Sequence, residues 1–110
     1  MDKITIDDFN RVEIRIGQIK SAEAIEGSEK LLKLSVDFGE EVPRQVLSGI
    51  AKYVTSESLL GVKCPFITNL PEREMMGLVS QAMIMAASTD EGQFTLLLAD
   101  QHIPVGTKVK

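Results

Sequence analysis

Leu32-Lys33-Leu34-Ser35-Val36-Asp37-Phe38-Gly39-Glu40-Glu41, followed by Arg44-Gln45-Val46-Leu47-Ser48, is the stretch on which the fold turns. Leu32, Leu34, Val36 and Phe38 alternate with Lys33, Ser35 and Asp37. A period of two puts one apolar face on a core and one polar face in solvent, so this is a strand. Gly39-Glu40-Glu41 is the tip of a hairpin that returns the chain as another strand, with faces Arg44/Val46/Ser48 and Gln45/Leu47. Upstream, Glu26-Gly27-Ser28-Glu29 is a turn. Before it, Val12, Ile14 and Ile16 alternate with Glu13, Arg15 and Gly17 in a first strand that runs on through Gln18–Ala22. Gly17 inside that strand predicts a bend or bulge, as a small barrel needs where a long strand turns a corner. Ile6-Asp7-Asp8-Phe9 reads as one helical turn, with acids near its N-terminus and Phe9 packing inward.

Downstream, Gly49–Leu60 breaks the alternation. Thr55 is placed to cap a helix over Ser56–Leu60, with Gly61 as the stop. Val62–Thr68 is again strand-like and Asn69–Gly77 is a polar connection. Leu78–Ser88 is almost continuously apolar, and Gln93–Ala99 returns after a Thr89-Asp90-Glu91-Gly92 turn. Pro104–Val109 offers one last short strand. Five or more short strands with a helix between the third and fourth predict a mainly β fold, a five-stranded Greek-key barrel of the OB type with short terminal extensions. A sandwich would want about seven strands and no such helix. Met83-Ile84-Met85-Ala86-Ala87 has no polar alternation, so both its faces need cover, either from a second subunit or from the helix or tail.

The 110 residues, 44% of them apolar and 25% charged, make one globular domain over residues 1–110. No run of apolar residues approaches a membrane span, and the start of the chain lacks the basic and apolar regions of a signal peptide. A single cysteine, Cys64, has no internal disulfide partner, which fits a cytoplasmic location. Twelve Lys and Arg against sixteen Asp and Glu give a net charge of −4, the wrong sign for a uniformly basic nucleic-acid binder. The basic residues are concentrated, however, with none between Arg73 and Lys108, which leaves room for a local basic surface.

Catalytic constellations are thin. The only histidine, His102, sits in a turn-like Asp-Gln-His-Ile-Pro, and with Cys64 it cannot complete a four-ligand metal set. None of the phosphate-binding, nucleophile-elbow or zinc-protease motifs occurs, so no cofactor, metal or catalytic residue is expected.

Taken in order, Ile6-Asp7-Asp8-Phe9, Val12-Glu13-Ile14-Arg15-Ile16-Gly17, Gly27-Ser28-Glu29-Lys30-Leu31-Leu32-Lys33-Leu34, Arg44–Ala51, Asn69-Leu70 and Ser80-Gln81-Ala82-Met83 carry a resemblance that spans the chain. The sequence resembles the tRNA-binding domain family. That family includes the C-terminal domain or separate β-subunit of methionyl-tRNA synthetases, free-standing dimeric tRNA-binding proteins, synthetase cofactors and a secretion-chaperone branch. The resemblance implies an OB core, no catalysis and structure-directed binding of tRNA. It also implies homodimerisation through the N-terminal turn and the segment after the last hairpin, and partnership with the catalytic part of a methionyl-tRNA synthetase. On the matching positions it implies a tRNA-binding face near Lys30, Lys33, Arg44, Ser48, Asn69, Arg73, Ser80, Gln81 and Met83.

Without the resemblance, Lys30 and Lys33 read equally as a solvated strand edge, and Met83 reads as core. Two departures stand out. The loop after Asn69-Leu70 carries Glu72 and Glu74 around a single Arg73, and Ser80-Gln81-Ala82-Met83 has Ala82 where the family usually has Gly. A carboxylate beside a phosphate repels it, so the expected affinity is low, or the site serves a protein partner instead. Aromatic residues are few and fall mostly at core positions, which favours recognition by shape and backbone over base-by-base readout.

Overall fold

A computed structural model describes all residues, 1–110. The elements run α1 (Ile6–Asn10), β1 (Ile14–Ala24), β2 (Leu32–Asp37), β3 (Arg44–Ser48), α2 (Ser56–Leu59), β4 (Lys63–Ile67), β5 (Arg73–Met75), β6 (Leu78–Ser80), β7 (Met83–Ile84), β8 (Ala86–Ser88) and β9 (Phe94–Leu96). The main sheet is antiparallel in the order β3-β2-β1-β4-β7 and curls into a nearly closed, OB-like barrel. As the sequence suggests, α2 lies between β3 and β4, is capped by the Thr55 side chain and stops at Gly61, whose φ is +79°. No helix is long and apolar enough to cross a membrane.

The barrel depends on β1, which changes neighbours along its length. Ile14–Gln18 pairs with β4, while Gln18–Ala24 pairs with β2. Where β2 has curled away, the C-terminal tail takes its place: Ile16 donates to Thr107, Gly106 to Ile16 and Val109 to Ile14, all through backbone groups. The expected last strand is thus a short extension docked on β1.

Gly17 is the reason β1 can lie so close. A Cβ there would stand 2.6 Å from Val36 Cγ1 and 2.7 Å from Phe38 Cε1. The bulge predicted at Gly17 occurs further on, where the register with β2 shifts between Ile19 and Ser21. The inward face of β1 is correspondingly Arg15, Gly17 and Ile19. Ile14 and Ile16, which the alternation suggested for the core, are buried on the opposite face, along the stretch that the tail bonds.

Inside the barrel Ile19, Leu34, Val36, Phe38, Val46 and Phe66 are almost wholly buried, with Phe38 and Phe66 edge-to-face at 5.2 Å. Two other expectations are corrected. The helical turn α1 is capped by Thr5 and Asp8 but buries nothing, and Phe9 remains 36% exposed instead of packing inward. The stretch Asn69–Gly77 is not merely a connection: Arg73–Met75 pairs with Leu78–Ser80 across Met76 and Gly77, both at positive φ (51° and 76°), the geometry of a tight hairpin turn. In Met83–Ala87 only Ile84 is buried, while Met83, Ala86 and Ala87 stay exposed within the chain.

Gly17→Ala should lower stability by about 1–3 kcal/mol, because the added methyl must displace Val36 or Phe38. Urea unfolding of the two proteins checks this, and an unchanged midpoint would mean that the close approach is not under strain.

Candidate nucleic-acid interface

The region to which the sequence points is the outer face of β2 and β3 with the β5–β6 hairpin folded beside it. Strand register sets the outward row: Lys33 lies opposite Leu47, and Ser35 opposite Gln45. The hairpin is held there by side chains. Ser80 Oγ accepts from the Leu47 N–H at 3.0 Å and donates to the Ala82 carbonyl at 3.0 Å. Gln81 Oε1 accepts from the Gln45 N–H at 2.9 Å, the Gln81 N–H donates to the Gln45 carbonyl at 2.8 Å, and Gln45 Nε2 donates to the Val79 carbonyl.

A cleft of about 130 Å³ opens between β3 and the hairpin. Leu47, Leu70, Pro71, Met75 and Met83 give it an apolar lining, and the exposed Arg73 stands at its edge. Arg73 forms no ion pair. Its neighbour Glu74 points to the other side of the hairpin by strand alternation, so the two charges that the sequence sets side by side do not share a face. Glu72 accepts from Gln81 Nε2 at 3.3 Å.

The structure divides the nine sequence-derived candidates. Arg73 and Met83 come together at the cleft, where Met83 is 47% exposed. Lys33 stands on the outer row opposite Leu47, a residue that lines the cleft, and is loosely paired with Glu23 at 3.5 Å. Lys30 is exposed in the loop that leads into β2. Ser80 lines the cleft, and both it and Gln81 are engaged in holding the hairpin. Asn69 ties the loop back to the N-terminal segment, accepting from the Glu13 N–H at 2.8 Å and donating to the Arg11 carbonyl at 2.7 Å. Ser48 sits on the inward face opposite Leu32, away from the outer row.

Arg44 is the most constrained. Its guanidinium lies 5.5 Å from the centre of the Phe38 ring. It grips Glu40 through Nε and Nη2, both at 2.9 Å, and donates through Nη1 to the carbonyls of Thr68 and Gln81.

Sequence reasoning missed the partner of that arrangement. Arg15 also lies 5.5 Å from Phe38 and reaches Glu40 at 3.0 Å, so Glu40 bridges two arginines instead of merely decorating a hairpin tip. Hydrogen bonds from Arg44 and then Arg15 pull the Glu40 carboxyl down to about 2. Glu13 is lowered too, chiefly by the Thr68 hydroxyl, which donates to it at 2.6 Å. An arginine inside an alternating strand becomes a signal only once its face is known, since it is an inward charge that demands an anionic partner. His102 contacts only Asp100, in the exposed tail. Cys64 is fully buried and its thiol is pushed up to about 11 by that burial.

Residues 14–108 match the family described as "Putative tRNA binding domain". A methionine–tRNA ligase of Caldanaerobacter subterraneus subsp. tengcongensis is 45% identical over 109 residues, 99% of this chain and 17% of the ligase. The methionine–tRNA ligase of Methanocaldococcus jannaschii is 43% identical over 110 residues, covering 100% of this chain and 17% of the ligase. The chain thus spans about one sixth of the length of these curated relatives. Among solved structures, a MetRS related protein from Pyrococcus horikoshii superimposes with a TM-score of 0.95 at 36% identity, covering 100% of both chains. The chaperone CsaA of Bacillus anthracis str. Ames gives 0.87 at 27% identity, covering 99% of this chain and 100% of that one.

Glu40→Gln should destabilise the fold at neutral pH by about 1 kcal/mol, the scale of a partly solvent-screened ion pair. Because the folded carboxyl titrates near 2 and not 4.5, its contribution is complete above pH 5 and is lost as pH falls toward 2. Unfolding measured across that range should show the gap between wild type and variant narrowing with acid; a constant gap would contradict the pairing.

Proposed function

The chain belongs to the tRNA-binding domain family, and on that premise we propose that it binds tRNA by backbone and shape, without catalysis, as a cytoplasmic accessory to the catalytic part of a methionine–tRNA ligase. The observation that carries this reading is the extent of the family match, which runs from the start of β1 through the docked tail. The unpaired Arg73 at the edge of the cleft supports it, because an exposed cation with no ion-pair partner is free for a phosphate.

In this reading Lys30, Lys33, Arg73 and Met83 meet the RNA. Arg44, Asn69, Ser80 and Gln81 act from behind, by fixing the surface that presents them, while Ser48, on the inward face, drops out of the contact set. A second weak contact of this kind raises the local concentration of tRNA at a linked catalytic domain without new chemistry.

A homodimer is part of the proposal. Ile6 and Leu98 are each 70% exposed, and Phe9 and Leu97 also remain partly uncovered, on the N-terminal turn and the segment after the last hairpin. A second copy would cover such surface. One observation favours a protein-binding role instead: the likeness to CsaA chaperones, together with the apolar groove between α2 and β9 where Tyr53 stacks on Phe94 at 4.4 Å.

Arg73→Ala should weaken tRNA binding and flatten the slope of log K against log salt by something under one unit, the share of a single phosphate contact. Measurement of both proteins at several salt concentrations decides it; tRNA binding that the substitution leaves untouched would favour the protein-binding role. Sedimentation equilibrium at micromolar concentration should give twice the 12.1 kDa of one chain, and a monomer mass would remove the dimer from the proposal.

A further inference from the structure

Phosphate contacts at Arg73 do not require a cavity, yet one lies beside it. The cleft holds about 130 Å³. For comparison, an apolar cavity of about 150 Å³ accepts a benzene ring. The cleft is thus on the scale of one six-membered ring. Because it is open on one side, the larger fused system of a purine would stand further out of it, with less of its surface covered.

The lining suits such a ring. Met75 and Met83 carry thioethers, which make favourable contacts with aromatic edges and adapt their shape, and Leu47 and Leu70 complete the apolar surface. The one buried hydroxyl in the lining, Ser80 Oγ, already has the Leu47 N–H and the Ala82 carbonyl as partners. An entering ring would leave it satisfied. The charge is on the correct side as well: Arg73 lines the same cleft without a carboxylate partner, Glu74 faces away and Glu72 is held by Gln81.

We propose that this cleft receives one unpaired pyrimidine base of a bound RNA, with Arg73 on the adjoining phosphate. The inference rests on the tRNA-binding reading and adds a preference that backbone contacts alone cannot give. Single-stranded RNA is recognised by splaying a base out of its stack into such a site, with the polar edge of the base left toward the open mouth. The site is apolar within and cationic at the rim, which suits a base together with its own phosphate.

The test uses the whole chain, fluorescent hexauridylate and hexaadenylate, and methyl NMR of the methionines. Hexauridylate should bind about fivefold or more tighter than hexaadenylate, the lower end of what one base contact contributes, and should shift the Met75 and Met83 methyl signals. Ala82→Leu, which fills the cleft, should reduce hexauridylate binding to the level of hexaadenylate. Met83→Ala alters an exposed side chain and serves if Ala82→Leu does not fold; it should widen the cleft and erase the preference by admitting the purine.

Equal binding of the two oligonucleotides by the wild type, or unmoved methyl signals with hexauridylate, would overturn the proposal. So would an apolar peptide that shifts the methyls when hexauridylate does not. If intact tRNA still binds in those cases, the tRNA-binding role stands and only the base site falls. If tRNA itself does not bind while hexauridylate does, the role falls and the base site stands.

Discussion

A five-stranded sheet in the order β3-β2-β1-β4-β7 has two edges, β3 and β7, and curling it into a barrel brings them together without enough strand to join them. Strand β7 is two residues long and cannot offer β3 a ladder. A buried edge with unpaired N–H and C=O groups costs free energy on the scale of a lost hydrogen bond for each group. Side chains close this seam. Ser80 Oγ takes the Leu47 N–H, while Gln81 uses its backbone N–H and its side-chain oxygen to serve both polar groups of Gln45. Arg44 crosses from β3 to the carbonyls of Thr68 and Gln81, tying both sides of the gap. No buried side-chain nitrogen or oxygen is left without a partner.

The seam explains why the candidate interface lies where it does. Closing the barrel with the chain that follows β6 brings the β5–β6 hairpin against β3, and the cleft is the space that remains between them. Residues that a motif would group as RNA contacts therefore separate into two kinds. Gln81 and Ser80 set the position of the hairpin, Asn69 sets the loop before it, and Arg44 anchors the end of β3. Arg73, Met83 and Lys33 are what the resulting surface exposes. On the proposed reading, substitutions in the first group alter binding through geometry, and those in the second alter it directly.

Much of the fold was legible because alternation over Leu32–Phe38 and Arg44–Ser48 has only one structural meaning, and because Thr55 and Gly61 mark both ends of α2. The phase of β1 was not legible. Ile14 and Ile16 are buried by the tail side of the strand while Arg15 and Gly17 face inward, so apolar residues lie outside and a charge lies within. Alternation shows that a strand has two faces; it does not show which one meets the core when both are covered. The hairpin at Met76-Gly77 was hidden for a local reason. Methionine rarely takes φ near +51°, and nothing but the following glycine marks that turn. At the site, the family's motif named segments that the fold brings near one another, but which side chains are left exposed there depends on hydrogen bonds across 30 or more residues that no local pattern encodes.

The net charge of −4 is compatible with an anionic ligand once the charges are located. Coulombic effects between exposed groups fade within about 8–10 Å at physiological salt, so a ligand responds to the face it meets and not to the sum. Glu40 is neutralised by two arginines at the end of the barrel, and Glu13 is held by Thr68 and Arg15. On the outer face the one acid paired with a candidate cation is Glu23, and it holds Lys33 at 3.5 Å between exposed side chains. Such a pair contributes about 0–1 kcal/mol, so Lys33 can exchange the carboxylate for a phosphate at little cost. Arg44 cannot make that exchange so cheaply, because it would give up two bonds to Glu40 and leave the two backbone carbonyls that close the seam without their donor. The cations free to bind are those whose present partners are weak, and by that criterion Arg73 and Lys33 precede Arg44, although guanidinium chemistry alone would rank Arg44 with the best phosphate ligands.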